Sequence, residues 1–573
     1  MPSPEVIKAV TEYENYIKRK GVDEKLLEAY SLLSGTAIED DRSFGLRISA
    51  RAKLLVADFV KKQTEGGDLW WLEKWTFAHK TEANILNVFY DILLAEARAQ
   101  IFDSYLLYIE RKREPKDRFY RPKRKQFLKH GITQAYQGLL DDKYDILCIS
   151  QIPGSGKTTC LKFFNSAVIG WFPKDYNLFY SHSSDITRMY YDGVYQIVTD
   201  GQEYTWHDIF PDLKVTSTNA KMQQFNIGSY KPFPSLQTAS IGSENAGKVR
   251  ASKFLLVDDL IGKLEEALNK NTLEKLWGAY TVDARQRKTV DRTEKPCKEV
   301  VQATRWSTLD PIGRIIQSYQ GNDRVKVISI PDIDPVTGES NFDYEFGGFT
   351  KEFFADQALL MDEISYKCLY KQEPIEREGL LYHEDELRRY VTLPEKEPDA
   401  ILGVCDTKAK GTDYMVLPVM LRYGEDFYMA DCICDNSTDF GLQKERLANI
   451  ICDNAMQQCE FESNAGGDRL AHEVNELVEQ KGGRCNITTK ATETNKETRI
   501  IVNSDWVKKH VLFRDKENYT AQSDYGRFMS QLLSYSIAGR NAHDDCVDAM
   551  ANFALYITRK TRVRTAVVLQ SPL

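Results

Sequence analysis

The sequence predicts an α/β protein made of more than one domain, and three observations carry that prediction. Short, unbroken apolar runs alternate with helical stretches from about residue 143 to 335, as expected for strands buried on both faces of a parallel sheet. A second alternation of the same kind begins near residue 396. The chain has 573 residues and a mass of 65.8 kDa, which is too long for one hydrophobic core.

The first 110 residues are predicted to be helical. Apolar residues recur at helical spacing in 25–33 and 83–94, and no chemistry-bearing motif accompanies them, so we interpret the segment as an accessory or docking region. A strongly basic run at 111–125 follows, and it contains two prolines and two aromatic residues. This run is a solvated face, a contact for a phosphate backbone, or the entry to a nucleotide pocket. A helix over 126–140 is predicted after it.

Bulk composition places few limits on function. A hydrophobic content of 42% and a charged content of 28% are ordinary for a globular protein. A net charge of −8 and a pI near 5.7 do not exclude nucleic-acid binding, because local basic strips can serve it. The sequence has neither an apolar run of bilayer length nor a basic-then-apolar leader, so no membrane partner is predicted. The eleven cysteines lack a disulfide or zinc framework, and we expect reduced, partly buried thiols.

A phosphate-binding loop is predicted at 151–159, where QIPGSGKTT follows an apolar strand and opens a helix. Loops of this kind wrap backbone N–H groups around a phosphate at a helix N-terminus. Lys157 is expected to contact the β- and γ-phosphates of ATP, and the Thr158 hydroxyl to hold Mg²⁺. Gln151 replaces the usual first glycine of the motif. The other loop residues assigned to the nucleotide are Gly154, Ser155, Gly156 and Thr159.

An apolar strand that ends in two carboxylates supplies the second element of an ATPase site. Asp258 is placed to bind the Mg²⁺ shell. Polarising the attacking water is usually the task of a glutamate, but the next residue is Asp259, whose side chain is shorter; Glu265 and Glu266 are the alternatives, and the choice stays open. Hydrolysis also needs a cation at the γ-phosphate, and Arg250, on the preceding glycine-containing loop, is the candidate for its own site or a neighbour's.

A second set of carboxylates predicts a nuclease. Asp406 ends a buried strand, two strand-like runs at 414–421 and 426–433 follow as a meander of the ribonuclease H type, and Glu462 ends another strand. Two-metal cleavage of a phosphodiester needs carboxylates that converge on ions about 4 Å apart, and strand ends with a facing helix supply that convergence. The metal is expected to be Mg²⁺ or Mn²⁺.

The facing helix is predicted to start at the His543-Asp-Asp motif. Asp545 is favoured there as the third metal-binding and catalytic carboxylate beside Asp406 and Glu462, and the neighbouring Asp544 and Asp548 are alternative metal ligands. His543 would ligate, act as an acid, or cap the helix. Asp413 is expected to support the ligands from outside. Lys496 and Arg499 are read as lying on a loop, as a phosphate contact or an ordinary solvated turn.

Taken in order, these motifs resemble those of the large terminase subunit of tailed bacteriophages, the motor that packs DNA into preformed heads. The resemblance runs from about Phe119 to the end of the second α/β unit and leaves the first hundred residues outside. The segments that carry it are 119–126, 151–159, 257–266, 303–314, 372–375 and 543–545. Their order and combination are specific, although no single segment is.

The resemblance implies roles for further residues. Gln126 and its basic neighbours would line the adenine side of the nucleotide pocket. Thr304 and Arg305 fall in the segment that resembles the coupling motif, which senses the γ-phosphate and relays hydrolysis to movement. Arg250 sits where the family places an arginine finger that acts between subunits. Gln151 and Asp259 depart from the family pattern, and the second departure leaves the catalytic acid open.

The resemblance also implies partners and a location. Double-stranded DNA, the portal protein and the small terminase subunit are the expected partners, with a homo-oligomeric ring on the portal and a monomer in isolation as the alternatives for assembly. The protein would act in the cytoplasm of the infected bacterial host, transiently on the procapsid, and be absent from the mature virion. Two rivals remain: an ATP-driven helicase or repair translocase with an attached nuclease, and a non-enzymatic packaging scaffold.

The predicted architecture is a P-loop (RecA/ASCE-like) ATPase domain followed by a ribonuclease H-like nuclease domain, with an N-terminal helical extension. The expected boundaries are a helical region at 1–110, the ATPase domain at 111–335, a linker or subdomain at 336–395, the nuclease domain at 396–560 and a flexible tail at 561–573.

Overall fold

The structure is a computed structural model, and its description covers residues 1–565 except 65, 244–248, 263–265, 268, 362, 375–378, 408–413, 464–465, 492–494, 538–540 and 542. Internal packing divides the chain into two compact units. The first comprises Met1–Ala267, Asn271–Leu359 and Lys367–Pro374, and the second comprises Leu268–Lys270, Leu360–Tyr366 and Ile375–Leu573. The predicted helical region and the predicted ATPase domain therefore lie in one unit.

A mostly parallel sheet forms the centre of the first unit. Its strands are β1 Ile146–Gln151, β2 Asn177–Ser181, β3 Val215–Asn219, β4 Gln224–Ile227, β5 Leu236–Ser240, β6 Phe254–Asp258, β7 Lys298–Ala303 and β8 Val325–Ile330. They are ordered β3-β4-β5-β2-β6-β7-β1-β8. From β5 to β8 neighbouring strands are parallel, whereas β3 and β4 pair antiparallel at one edge. The central strands are buried because helices cover both faces of such a sheet.

The helices up to residue 360 form an N-terminal bundle and the layers around this sheet. They are α1 Pro4–Lys20, α2 Glu24–Asp40, α3 Arg42–Gln63, α4 Leu69–His79, α5 Asn84–Arg98, α6 Phe102–Ile109, α7 Tyr120–Lys129, α8 Ile132–Leu140, α9 Lys157–Trp171, α10 Ser184–Thr199, α11 Trp206–Ile209, α12 Lys270–Gly278, α13 Pro311–Ser318 and α14 Lys351–Leu360. Side-chain oxygens of Ser3, Asp23, Asp41 and Asp68 cap the first four. The single helix predicted over 126–140 is wrong, because Gly131, at a φ of 72°, separates α7 from α8.

The sheet of the second unit has the strand order of a ribonuclease H fold, as predicted. Its strands are β9 Arg388–Tyr390, β10 Ala400–Cys405, β11 Met415–Tyr423, β12 Asp426–Asp435, β13 Gln458–Glu462, β14 Asn486–Lys490 and β15 Val511–Arg514. The order is β14-β13-β10-β11-β12-β15-β9. The meander of β10, β11 and β12 is antiparallel, and β13 and β14 continue parallel to β10 on its other side.

Helices surround this second sheet. They are α15 Glu363–Tyr366, α16 Phe440–Asp453, α17 Gly467–Gln480, α18 Lys496–His510, α19 Asp524–Ser534 and α20 Asp545–Thr565. Side chains of α18, α19 and α20 share one buried apolar cluster with the sheet, and those of α16 and α17 share another. β9, from the end of the predicted linker, is a strand of this sheet, and α20 continues to Thr565, beyond the predicted start of the tail. Among the residues described, no helix combines the length and the apolar character needed to cross a bilayer.

Candidate functional site

The loop between β1 and α9 has the backbone of a phosphate-binding nest. β1 ends at Gln151 and α9 begins at Lys157. Gly154 and Gly156 adopt φ values of 76° and 100°, a region that L side chains rarely enter. A Cβ on Gly156 would also lie 2.4 Å from the ring of Phe119. The loop therefore requires its glycines, and a chain that turns this way at a helix N-terminus favours an anion.

The ammonium group of Lys157 is held inside this loop. It is buried, and its Nζ donates to the carbonyl oxygens of Gln151 at 2.9 Å and Ile152 at 3.3 Å. It also donates to the Thr304 hydroxyl at 3.3 Å, which brings the end of β7 to the loop. The Ser155 hydroxyl donates to the Ile152 carbonyl at 2.9 Å and fixes the turn. All the acceptors of Lys157 are neutral, so phosphate oxygens would be stronger partners for it.

Asp258, at the end of β6, faces the loop as predicted for the acidic partner strand. The Thr158 hydroxyl donates to its Oδ2 at 2.6 Å, and Gln302 Nε2 donates to its Oδ1 at 3.1 Å. Burial, and then the neighbouring Asp259, raise the pKa of Asp258 to about 7, against the lowering effect of the Thr158 bond. A hydroxyl and a carboxylate in contact are the hard oxygen donors that Mg²⁺ prefers, so these residues fit that ion.

Asp259 joins the ends of three strands. It has a φ of 41°, and its N–H donates to the Gln302 carbonyl at 3.0 Å. Its Oδ1 accepts the backbone N–H of Thr304 at 2.9 Å, and its carbonyl oxygen lies 2.6 Å from His182 Nδ1, just after β2. The carboxylate of Asp259 therefore positions Thr304, the residue that contacts Lys157. Its predicted role as the catalytic acid stays a prediction.

The other candidates for activating water or stabilising charge have local partners. Glu266 Oε2 accepts the N–H of Gly262 at 2.9 Å, and Glu265 lies outside the described residues. Arg250 is half-buried and donates to the carbonyl of Val249 at 3.0 Å, directly after the undescribed segment 244–248. The roles of Glu265, Glu266 and Arg250 in hydrolysis stay predictions.

Two further residues of the predicted nucleotide site differ in their surroundings. Thr159 lies half-buried in the first turn of α9. Arg305, next to Thr304, is buried and pairs with Asp310 at 2.8 Å, and Asp310 caps α13 through the N–H of Gly313 at 2.7 Å. Thr304 thus faces the loop, whereas Arg305 anchors the start of a helix.

Gln126, predicted on the adenine side, lies on α7 opposite a segment that sequence reasoning missed. Its Nε2 donates to the backbone carbonyl of Asp343 at 2.7 Å, and its Oε1 is buried without a hydrogen-bond partner among the described residues. From the same segment, the ring of Phe349 lies 3.0 Å from the position of a Cβ on Gly154. The sequence signal for this segment is the pair of glycines at 347 and 348, since a Cβ on Gly348 would lie 2.1 Å from backbone.

Five of the nine cations in the basic run at 111–125 form ion pairs within the first unit. Its cations pair as Arg113–Glu110, Arg113–Glu203, Lys116–Glu114, Arg118–Glu73, Arg121–Glu73, Arg121–Glu345 and Arg124–Asp103. Arg118 is 4% exposed, so a solvated face does not describe this part of the run. The contact of Phe119 with the loop glycine favours the third alternative, an entry to the nucleotide pocket.

In the second unit, Asp406 and Glu462 lie at adjacent strand ends. β10 and β13 are parallel with Cys405 opposite Phe461, so the next residue of each strand is one of the two acids. The backbone of Asp406 pairs with Val416, the residue is 7% exposed, and its Oδ2 has no hydrogen-bond partner among the described residues. Burial, then repulsion from nearby carboxylates led by Asp548, raises the pKa of Asp406 well above its ordinary value.

The facing helix α20 brings its acids to the same place, with different partners. Asp545 Oδ2 accepts the N–H of Tyr414 at 3.0 Å. Asp548 is 2% exposed and forms a bidentate pair with Arg499, at 2.8 and 2.6 Å. Asp544 accepts from Lys496 at 2.7 Å. Asp548 is therefore paired with an arginine, and the choice among Asp544, Asp545 and Asp548 as the metal ligand of this helix stays a prediction.

Lys496 and Arg499 lie in the first turn of α18, so their predicted place on a loop is wrong. The Lys496 ammonium lies 2.7, 3.5 and 3.7 Å from carboxylate oxygens of Asp544, Asp545 and Asp548. Burial lowers the pKa of Lys496, but the carboxylates, led by Asp548, outweigh it and hold the pKa above its ordinary value. These two cations therefore balance the charge of the acidic cluster.

The donor atoms of the acidic cluster suit a divalent metal, but the side chains of the described residues are not arranged around one point. Its donors are carboxylate oxygens, which suit Mg²⁺ or Mn²⁺, and the unpartnered Oδ2 of Asp406 is an atom that a cation would satisfy. Within the described residues, however, no three histidine, cysteine, aspartate or glutamate side chains converge closely enough to hold an ion. Asp413 lies outside the described residues, and the His543 ring contacts that of Tyr414, with centroids 4.9 Å apart.

Comparison with known proteins gives matches among solved structures alone. No family model and no curated protein matches the chain. The chain is similar to the large terminase of a thermophilic bacteriophage, at 12% identity and a TM-score of 0.34, over 77% of this chain and 99% of that one. It is similar to the HK97 bacteriophage large terminase at 9% and 0.30, over 73% and 94% of the two chains. A third match is the human cytomegalovirus terminase nuclease domain, at 11% and 0.26, over 31% and 95%.

These identities and TM-scores carry no residue-level correspondence, so function is inferred from the residues of this chain. The three solved structures named above are two large terminases and a terminase nuclease domain.

Proposed function

We propose that this chain is the large subunit of a tailed-phage terminase. Its first unit hydrolyses ATP to drive double-stranded DNA into a procapsid, and its second unit cuts concatemeric DNA. The observation that carries the proposal is a combination within one chain. A phosphate-binding loop with its acidic partner strand is followed by a ribonuclease H-type sheet that has carboxylates at two adjacent strand ends.

In the ATPase site, the proposed steps follow from the contacts of the chain's own residues. Lys157 exchanges its neutral carbonyl acceptors for phosphate oxygens, and Thr158 with Asp258 hold Mg²⁺. Magnesium supplies neutralisation of the charge that develops on the phosphates. Thr304, bonded to Lys157 and fixed by Asp259, is placed to pass a change at the γ-phosphate to β7.

In the nuclease site, Asp406, Glu462 and Asp545 are the proposed ligands of Mg²⁺ or Mn²⁺. The metals supply an activated water and brace the leaving oxygen of the phosphodiester. Lys496 offsets the charge of the carboxylates that it contacts, and Arg499 holds Asp548 in place through two hydrogen bonds.

The proposal extends to partners and assembly. Double-stranded DNA is the substrate, and the portal protein and the small terminase subunit are the docking partners. The working state is a homo-oligomeric ring on the portal, in which Arg250 of one subunit would serve the γ-phosphate of a neighbour. The isolated protein is a monomer. The protein acts in the cytoplasm of the infected bacterial host, transiently on the procapsid, and is absent from the mature virion.

The test is digestion of supercoiled plasmid with Mg²⁺ or Mn²⁺, with ATP turnover recorded in the same samples. We expect Asp406→Ala to lose cutting at least 100-fold and keep ATP turnover, and Lys157→Ala to show the reverse. Asp426→Ala is the matched control, since Asp426 starts β12 in the same sheet and pairs with Arg388 at 2.6 Å. Turnover that survives Lys157→Ala would contradict the ATPase assignment. Wild-type protein that hydrolyses ATP without metal-dependent cutting would favour a translocase with an inactive nuclease unit.

A further inference from the structure

Glu73, on α4, is a buried carboxylate outside the motifs that define the proposed ATPase. Its exposed fraction is 0%. It accepts hydrogen bonds from the Tyr90 hydroxyl and from Arg118, and its second oxygen faces Nε of Arg121 at 3.4 Å. Burying an ionised carboxylate costs free energy unless cations and hydrogen-bond donors are held against it. Glu73 therefore holds Arg118 and Arg121 against the N-terminal helices.

These arginines flank one wall of the nucleotide site. Phe119 lies between them in sequence, and its ring is the group that a Cβ on Gly156 would strike at 2.4 Å. The same ring stacks on Phe163 of α9, with centroids 5.7 Å apart. The side chain of Arg118 is 1% exposed and that of Arg121 is 6% exposed, so buried arginines anchor the backbone on both sides of Phe119.

The ion pairs that begin at Glu73, here called the Glu73 network, continue to the segment that contains Glu345 and Phe349. Arg121 also pairs with Glu345, and Lys74, on the same helix as the buried carboxylate, pairs with Glu345 as well. Glu345 belongs to the segment that places Phe349 against Gly154 of the phosphate-binding loop. Ion pairs thus connect α4 to Arg118 and Arg121, which flank Phe119 in the chain, and to Glu345, four residues before Phe349.

We propose that Glu73 is a positioning residue for ATP binding, acting through Arg118 and Arg121 on Phe119 and through Glu345 on the segment of Phe349. The N-terminal helices then set the affinity of the nucleotide pocket, although they contribute no residue to it. This inference rests on the proposed ATPase function of the first unit.

The test measures nucleotide affinity apart from turnover in the full chain. Glu73→Gln keeps the shape of the side chain and removes its charge, and Glu345→Gln cuts the outer link at a side chain that is 35% exposed. Glu14→Gln is the matched control, because Glu14 accepts from Tyr30 at 2.9 Å and Arg51 at 3.2 Å within the same bundle. The readouts are the Kd of a fluorescent ADP analogue, the KM for ATP and kcat, with plasmid cutting as the internal control.

We expect both network variants to raise the Kd and the KM at least fivefold with kcat within twofold, while Glu14→Gln and plasmid cutting stay unchanged. An unchanged Kd in the network variants overturns the inference and leaves the proposed function intact. A lower kcat at unchanged KM overturns it too. If Glu73→Gln does not fold, Glu345→Gln decides alone. Wild-type protein that binds no nucleotide overturns the proposed function together with the inference.

Discussion

At the scale of single residues, Asp406 is a proposed metal ligand whose surroundings disfavour its ionised form. Its carboxylate is buried, one oxygen has no hydrogen-bond partner among the described residues, and burial with nearby acids raises its pKa. A pKa that is raised in the folded state means that stability is greatest below the unfolded pKa, about 4, and is lost as the pH rises towards the folded value. The ionised carboxylate is therefore held at a cost in stability.

We therefore predict that Asp406→Asn is more stable than the wild type in EDTA, and that its advantage grows from pH 5 to pH 8. The amide carries no charge to desolvate, so its stability does not follow the titration of the acid. Thermal unfolding at the two pH values measures the effect, and we expect a Tm higher by at least about 2 °C at pH 8. Added Mn²⁺ should raise the Tm of the wild type and leave that of the variant unchanged. Equal Tm values at both pH values would contradict the interpretation.

Some residues of the site were predictable from sequence, and others were not. Asp406 and Glu462 end apolar strands, and this local pattern marks them as neighbours at one sheet edge. The partner of Asp259 is the backbone of Thr304, 45 positions away, and no local pattern indicates that bond. The pairing of Arg499 with Asp548 depends on how two helices pack, so the sequence alone indicates a phosphate contact or a solvated turn at Arg499 and not this ion pair.

At the scale of elements, the phosphate-binding loop depends on Gly156 for two separate reasons. Its φ of 100° disfavours a side chain, and a Cβ would strike the ring of Phe119. Gly131, between α7 and α8, has a comparable φ of 72° but no atom within 4 Å of a Cβ. Comparing substitutions at Gly131 and Gly156 therefore separates the effect of backbone strain from the effect of a clash with Phe119.

We predict that both Gly131→Ala and Gly156→Ala lose about 1–2 kcal/mol of stability from left-handed strain. Gly156→Ala should in addition weaken nucleotide binding at least tenfold, because Phe119 has to move. Urea unfolding and titration with a fluorescent ADP analogue provide the two measurements. Equal nucleotide affinity in the two variants would show that the contact with Phe119 has no functional weight.

The pair between α18 and α20 gives a second prediction at this scale. Arg499 and Asp548 are 6% and 2% exposed, so removing the arginine alone leaves a buried carboxylate with Lys496, 3.7 Å away, as a remaining cation. Arg499→Leu should lower the free energy of unfolding by about 3 kcal/mol, and the double variant Arg499→Leu/Asp548→Leu should recover most of that loss. Arg469→Leu, which removes an exposed pair with Glu473 on α17, should change little. A double variant no more stable than Arg499→Leu would argue against a mainly structural pairing.

Strand prediction succeeded for apolar central strands and for β8 at one edge of the first sheet, and it missed other edge strands. The central strands β1, β2 and β6 are mainly apolar and fully buried, which is the signal of a buried parallel strand. β3 and β14 are largely exposed and rich in threonine and asparagine, so they lack that signal. β9 is too short for any periodicity, since it covers three residues.

At the scale of the whole molecule, local charge in the sequence proved a poor guide to a free basic surface. The run at 111–125 suggested a possible contact for a phosphate backbone, but its arginines pair with acids far away in sequence, including Glu73, Asp103 and Glu203. Basic side chains can contact DNA phosphates when they are not already paired with carboxylates of the same protein, and the tertiary structure decides whether they are. The same ion pairs join the N-terminal helices, where no motif is visible in the sequence, to the segment that carries Phe119 beside the phosphate-binding loop.

The two proposed sites lie in different units of the chain, so ADP and Mn²⁺ should affect different parts of it. If the phosphate-binding loop and the acidic cluster are the functional sites, ADP should slow amide hydrogen exchange in β1, α9 and the end of β6, and Mn²⁺ should slow it at the ends of β10 and β13 and the start of α20. Hydrogen exchange with mass spectrometry on the full chain measures both effects. Lys157→Ala should remove the ADP response and keep the Mn²⁺ response, and Asp406→Asn should do the opposite, because each residue belongs to one site. A Mn²⁺ response confined to the first unit would exclude the acidic cluster as the metal site and leave the ribonuclease H-type sheet without its proposed chemistry.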